Sequence, residues 1–148
     1  MSKYLDINEL QINDQEMLVE ALREDMTFQG CLGNGVTVEV ESHELAQSLI
    51  GFQGDTRPET AEVIVRRKFA GMSSNDLGFK RQESGNFKPI ISGFDNGYYN
   101  SDWRDALSQR YSERKYAKEM YQEGFILQGK TTLADGTTDM QFVQQGIL

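Results

Sequence analysis

The residue types that could do chemistry gather in two stretches. Between Gly51 and Arg67 a glycine-spaced loop runs through Asp55-Thr56-Arg57-Pro58 into a segment carrying Arg66 and Arg67. Glycine lets backbone approach a ligand closely, and arginine offers a rigid fork to carboxylate or phosphate. The plainer reading is a turn in which Arg57 pairs with Asp55 or Glu59. The second stretch is aromatic: Phe94, Tyr98, Tyr99 and Trp103, followed by Arg104 and Arg110. Rings beside guanidinium groups stack on and neutralise a nucleotide-like molecule. Here the plainer reading makes Trp103 the core anchor of a helix. The expected ligand-binding set is Arg57, Arg66, Arg67, Tyr98, Tyr99, Trp103 and Arg110, converging on one water-accessible hollow.

Other chemistries lack their parts. His43-Glu44-Leu45-Ala46-Gln47 begins like a zinc-protease helix but has Gln47 where the second ligand must stand. One histidine and one cysteine cannot build an ordinary His/Cys zinc site within a chain. His43 reads instead as a solvated residue at a helix start. No serine stands in a Gly-x-Ser-x-Gly elbow. Gly51-Phe52-Gln53-Gly54 has neither the spacing nor the terminal Lys-Ser/Thr of a phosphate loop. Asp95-Asn96-Gly97 lacks the ordered ligands of a calcium loop and reads as a tight turn. Asp102 and Asp105 suit the positive end of a helix dipole better than acid/base work. The expectation is no metal, no cofactor and no catalysis.

Charge narrows the partners. The chain has 148 residues, about one domain's worth, with 15 basic and 23 acidic side chains and a net charge of −8. Residues 1–62 carry −10 of this, and residues 63–148 carry +2. A duplex-binding protein concentrates basic residues, because counterion release drives its binding. Here the one dense basic run is Arg66-Arg67-Lys68, so a nucleic acid duplex is an unsuitable partner. The lone Cys31 forms no internal disulfide, which fits a reducing compartment. Met1 to Leu10 shows no secretory signal, and no stretch reaches the roughly 20 apolar residues of a membrane span. The expected location is cytoplasmic.

The elements that must position these residues follow from periodicity. Tyr4 to Gln11 reads as an opening strand. Asn13, three residues before Glu16, has capping-box spacing, and residues 14–25 form an amphipathic helix through Met17, Leu18, Ala21 and Leu22. Thr27 to Leu32 suits a strand ended by the turn Gly33-Asn34-Gly35. Val36, Val38 and Val40 alternate with Thr37, Glu39 and Glu41, the cleanest strand pattern in the chain. Ser42 caps a predicted short helix containing Leu45, Leu49 and Ile50, closed by Gly51. Glu62 to Phe69 is β-rich, and Leu77–Arg81 pairs with Phe87–Ile91 across Glu83-Ser84-Gly85-Asn86. Ser101 starts the longest helix, whose stripe runs through Trp103, Ala106, Leu107, Tyr111, Ala117, Met120 and Tyr121 to the terminator Gly124. Phe125–Leu127 and Met140–Val143 flank the hairpin signal Asp135-Gly136. With no repeat or linker, the prediction is a single α+β domain over residues 1–148. Its two main helices pack on one face of a mostly antiparallel sheet.

Several short segments resemble a known family. Gly51-Phe52-Gln53-Gly54-Asp55-Thr56-Arg57 followed by Ala61-Glu62-Val63-Ile64-Val65 is similar to the hallmark stretch of the hypothetical chloroplast open reading frame 35 proteins. Those are uncharacterised plastid and cyanobacterial proteins with phage relatives. Asp76-Leu77-Gly78-Phe79, Gln109-Arg110-Tyr111, Gln122-Glu123-Gly124-Phe125, Asp135-Gly136 and the opening Met1-Ser2-Lys3-Tyr4 match in order. Where that family keeps an aromatic and a histidine after its Arg-Tyr pair, this chain has Glu113 and Arg114. Fewer residues also stand there in place of Pro58-Glu59-Thr60. The resemblance implies a small α+β domain and lends no reaction.

The functional expectation is a non-catalytic protein that captures a small anionic, nucleotide-like ligand, as a phage-borne sponge would, in an oligomer with interfacial pockets. Its alternative is an adaptor whose acidic N-terminal half engages a basic protein, with no membrane involved.

Overall fold

A computed structural model describes residues 2–145, so Met1 of the opening motif lies outside the described residues. The fold is α+β. The chain divides into two compact units, Met1–Tyr111 and Ser112–Leu148, with the boundary inside a helix.

The first unit begins with α1 (Gln15–Arg23), whose N-cap is Asp14, one residue beyond the predicted Asn13. The Asp14 carboxylate accepts from the Met17 N–H at 3.0 Å, while the Asn13 and Asp14 N–H groups donate to the Tyr111 hydroxyl. Four antiparallel strands follow in sequential order: β1 (Glu41–Ile50), β2 (Thr56–Val65), β3 (Leu77–Arg81) and β4 (Phe87–Ile90). A four-residue helix, α2 (Arg67–Ala70), joins β2 to the approach to β3. Strand alternation separates two apolar clusters. Val63, Val65, Leu77, Phe79 and Phe87 join α1 and the first turns of α3 (Ser101–Gln122) in the main core. Ile64 turns the other way to meet Leu49, Ala61, Ile90 and Tyr4. On that side Gly78 is required: a Cβ there would stand 2.8 Å from the Ala61 Cβ.

In four places tertiary context overrides local pattern. Ser42–Ile50, predicted helical, is part of β1, because Glu41 pairs with Ile64 and Ser48 with Thr60. A register shift between Ser42 and Gln47 swings Leu45 out to 78% exposure, which hides the period-2 signature. Val36–Val40, the cleanest alternation, has no ladder partner: Val38 and Val40 are buried in the core by an irregular segment. Thr27–Leu32 forms loop and turn rather than strand. Tyr4–Gln11 runs beside β4 with isolated hydrogen bonds, Leu5 N to Ile91 O and Leu10 N to Phe87 O, and a single bridge from Tyr4 to Ser92.

The second unit holds the end of α3 and a hairpin of β5 (Phe125–Thr132) and β6 (Thr138–Gln144). Gly124, at φ 93°, ends the helix, and Gly136, at φ 88°, makes the hairpin turn as its sequence signalled. Asp135 accepts from the Thr137 N–H at 3.0 Å and from its hydroxyl at 2.6 Å. Tyr116 meets Phe142 edge-on at 5.3 Å, and Lys130 Nζ lies 2.8 Å from the Glu113 carboxylate.

Candidate ligand cleft and the arginine network

Asp76 anchors Arg66 and the start of α2. Its side chain is wholly buried, yet three donors satisfy it: the Ile50 N–H at 2.7 Å, the Arg67 N–H at 2.7 Å and Arg66 Nη1 at 2.8 Å. Arg66 also grips Glu41 with a two-point fork, Nε to Oε2 at 2.6 Å and Nη2 to Oε1 at 2.9 Å. That geometry is the strong, charge-assisted kind. The hydrogen bond from Arg66 holds the Glu41 carboxyl below the usual carboxylate range, and the same bond raises the guanidinium's own pKa. Glu41 Oε1 further binds His43 Nε2 at 2.9 Å. His43 is therefore a half-buried strand residue with a carboxylate partner, which corrects its reading as a solvated helix start.

The remaining predicted arginines are also engaged. Arg57 lies 3.8 Å from Asp55 and 3.9 Å from Glu59, with its guanidinium over the Tyr4 ring and Nη2 donating to the Ser2 carbonyl at 3.2 Å. Burial, with Asp76 nearby, holds the Tyr4 phenol well above its ordinary pKa. Arg67 donates to the Phe52 carbonyl. Arg110 donates to the Ala21 carbonyl at 3.0 Å and lies 3.6 Å from Asp25.

The rings find one another. Tyr99 is fully buried and Trp103 nearly so. With Phe28 and Tyr98 they form a cluster whose centroids stand 4.8 to 5.8 Å apart, mostly edge-to-face. The Tyr99 hydroxyl donates to the Ala70 carbonyl and accepts from the Gln29 N–H, and burial pushes its pKa up. Trp103 Nε1 donates to Thr27 Oγ1 at 3.0 Å, and the Tyr98 hydroxyl donates to the Thr27 carbonyl. The predicted set is thus placed in separate groups: Arg66 and the Arg67 backbone with Glu41 and Asp76, Arg57 with Asp55 and Glu59, Arg110 with Asp25, and an aromatic cluster around Tyr99 and Trp103.

A different place offers room. The C-terminal end of α1 and the loop after Phe28 border a cleft of about 350 Å³, lined by Arg23, Met26, Cys31, Leu32, Val36 and Val38, with Asp25 at the same wall. Loop chemistry shapes it. Gly33 and Gly35 adopt φ 75° and 69°, and Asn34 spans them, donating to the Gly30 carbonyl and accepting from the Val36 N–H. Gly30 seats the loop against α2: its N–H bonds the Phe69 carbonyl, and a Cβ there would stand 2.0 Å from the Lys68 carbonyl oxygen. Asp25 is buried and accepts from the Thr27 N–H and hydroxyl, with Arg110 on its far oxygen. Burial pushes the Cys31 thiol pKa up. Arg23 differs from the other arginines. Among the described residues it alone has a guanidinium with no hydrogen bond or ion pair. In the sequence it reads only as the polar end of α1, and the Gly33-Asn34-Gly35 turn was the one visible sign of the wall. Among the described residues no group of His, Cys, Asp or Glu could hold a metal ion, and no helix is long and apolar enough to cross a membrane.

Residues 36–141 match the model of a family described as "Protein of unknown function (DUF1257)". That span contains Glu41, Arg66, Asp76, Tyr99 and Trp103 and begins after most of the cleft lining. No curated protein and no solved structure matches the chain.

Proposed function

The chain belongs to the DUF1257 family of proteins of unknown function, and from that premise we propose that it is a non-catalytic binding protein which captures a small anionic ligand in the Arg23 cleft. The observation that carries this reading is the uncommitted guanidinium on a concave wall. The other arginines of the described chain have partners, whereas Arg23 has none and lines a cavity of about 350 Å³. Ligand sites typically occupy roughly 300 to 1,000 Å³, with a few polar groups on a mainly apolar wall. Asp25 does not cancel the attraction, because Arg110 already stands against it. Capture is favoured over turnover because the carboxylate at the wall is spent: Asp25 is held by Thr27 and Arg110.

The proposal includes a finer kinship. The segments from Gly51 to Gly136 that resemble the chloroplast open reading frame 35 proteins all fall inside the matched span 36–141, which supports grouping the chain with them and their phage relatives.

The test is calorimetric titration with inorganic phosphate, citrate, AMP and octanoate. At least one is expected to saturate a single site, with affinity reduced about tenfold or more in Arg23→Gln, the usual worth of a charge-assisted hydrogen bond. Absence of saturable heat from all four overturns the reading.

A further inference from the structure

Resting on the capture reading, we infer that the ligand is an aliphatic monoanion: a hydrocarbon body ending in one carboxylate-like group, with the head on Arg23 and the body against Met26, Leu32 and Val36.

Wall chemistry excludes most small anions. The side chains lining the cleft, apart from Arg23, Asp25 and Thr37, are aliphatic or sulfur-bearing, and none is aromatic. A nucleobase gains much of its affinity from stacking on a ring. The rings of Phe28, Tyr98, Tyr99 and Trp103 are packed on one another. Met26, Leu32 and Val36, by contrast, are 83%, 55% and 46% exposed along this one cleft. Apolar surface gathered at a concave site marks a ligand or partner surface, and methionine adapts to irregular aliphatic shapes.

The charge inventory fixes the head. One guanidinium is uncommitted, and the buried carboxylate beside it is already neutralised by Arg110. A single negative charge satisfies that wall. A di- or triphosphate would bring more charge than the cleft can match, and a cation would meet only Arg23. A neutral lipid alcohol would leave the guanidinium unanswered. The aliphatic monoanion is the class that uses both features at once.

The experiment is isothermal titration of the full chain with octanoate, octanol and AMP, using wild type, Arg23→Gln and Leu32→Asp. Leu32 is exposed, so its replacement sets a carboxylate on the aliphatic wall without opening the core. The inference expects saturable octanoate binding, at least about tenfold weaker binding of octanol, a similar loss in Arg23→Gln, and loss of octanoate binding in Leu32→Asp. Octanol binding as tightly as octanoate overturns the anionic head. AMP binding through Arg23 with no octanoate binding overturns the aliphatic body while leaving capture intact. Failure of octanoate and AMP alike overturns the inference, and the phosphate and citrate arms of the earlier panel then decide whether capture itself stands.

Discussion

The unit ending at Tyr111 and the unit beginning at Ser112 are made of the same parts, helix and antiparallel strand, yet they differ in what those parts bury. In the first, Val63, Val65, Leu77, Phe79 and Phe87 line a sheet face with no solvent exposure. In the second, no described residue is buried, and Ile126, Leu127 and Val143 keep 45%, 38% and 41% of their surface. Both are held by antiparallel hydrogen-bond ladders. The comparison separates two causes of strand formation. A two-stranded hairpin is marginal in water, and turn chemistry at Asp135-Gly136 sustains it locally. A four-stranded sheet with a covered face is sustained by area removed from water. Amide exchange should follow this division, slow in β2 and β3 and faster in β5 and β6.

The largest expected effect breaks the comparison most directly. Phe79→Ala removes a fully buried β3 ring from the main core and should cost about 3 to 5 kcal/mol, the range for such truncations. Phe142→Ala, which loses one edge-on contact with Tyr116, should cost about 1 kcal/mol. Urea denaturation of both variants measures the difference. Equal losses would show that the hairpin unit has a core after all.

The same division explains which elements were legible in the sequence. Leu77–Arg81 with Phe87–Ile91, the long helix from Ser101, and the Asp135-Gly136 hairpin follow from local turns and caps, and the structure has all three. Ser42–Ile50 and Val36–Val40 are not legible locally, because contacts distant in sequence decide them. A helix-like spacing became β1 once β2 lay beside it, and an ideal alternation found no strand to pair with. For the candidate site, residue types were legible and partners were not. Arg66 looked available because Glu41 and Asp76, 25 and 10 residues away, become neighbours only after β1, β2 and β3 assemble. Tyr99 and Trp103 looked like stacking surfaces because nothing local announces that Phe28 will cover them. Arg23 is inconspicuous for the converse reason: in isolation it is an ordinary last-turn cation.

A smaller effect sharpens the account of the first unit by titration. Arg66 depresses the Glu41 pKa, so the folded state binds this proton less readily than the unfolded chain. Its contribution is complete above the ordinary carboxylate value and is lost as pH falls through the lowered folded value. Stability should therefore drop on acidification from about pH 6 to pH 3, and Glu41→Gln should flatten part of that slope. Because both side chains are about a third exposed, at 29% and 35%, solvent screening trims the effect. Urea midpoints across that range provide the measurement. Parallel slopes in wild type and variant would mean that the fork contributes nothing net.

The smallest effect concerns the second unit, where an ion pair stands in for a core. Lys130 Nζ on β5 reaches the Glu113 carboxylate of α3 at 2.8 Å, with the lysine 48% exposed and the glutamate 15%. Exposed pairs of this kind are worth about 0.2 to 1 kcal/mol, and salt erodes them over a screening length of about 10 Å at 0.1 M. Lys130→Ala should speed amide exchange in β5 by a few-fold at low salt, should do less at high salt, and should leave β3 unchanged. That pattern would make the pair a minor support and return the hairpin's stability to its turn. Exchange raised by orders of magnitude, or an equal change in β3, would instead make Lys130 the fastening on which the whole hairpin unit depends, and the contrast between the units would be one of fastening rather than burial.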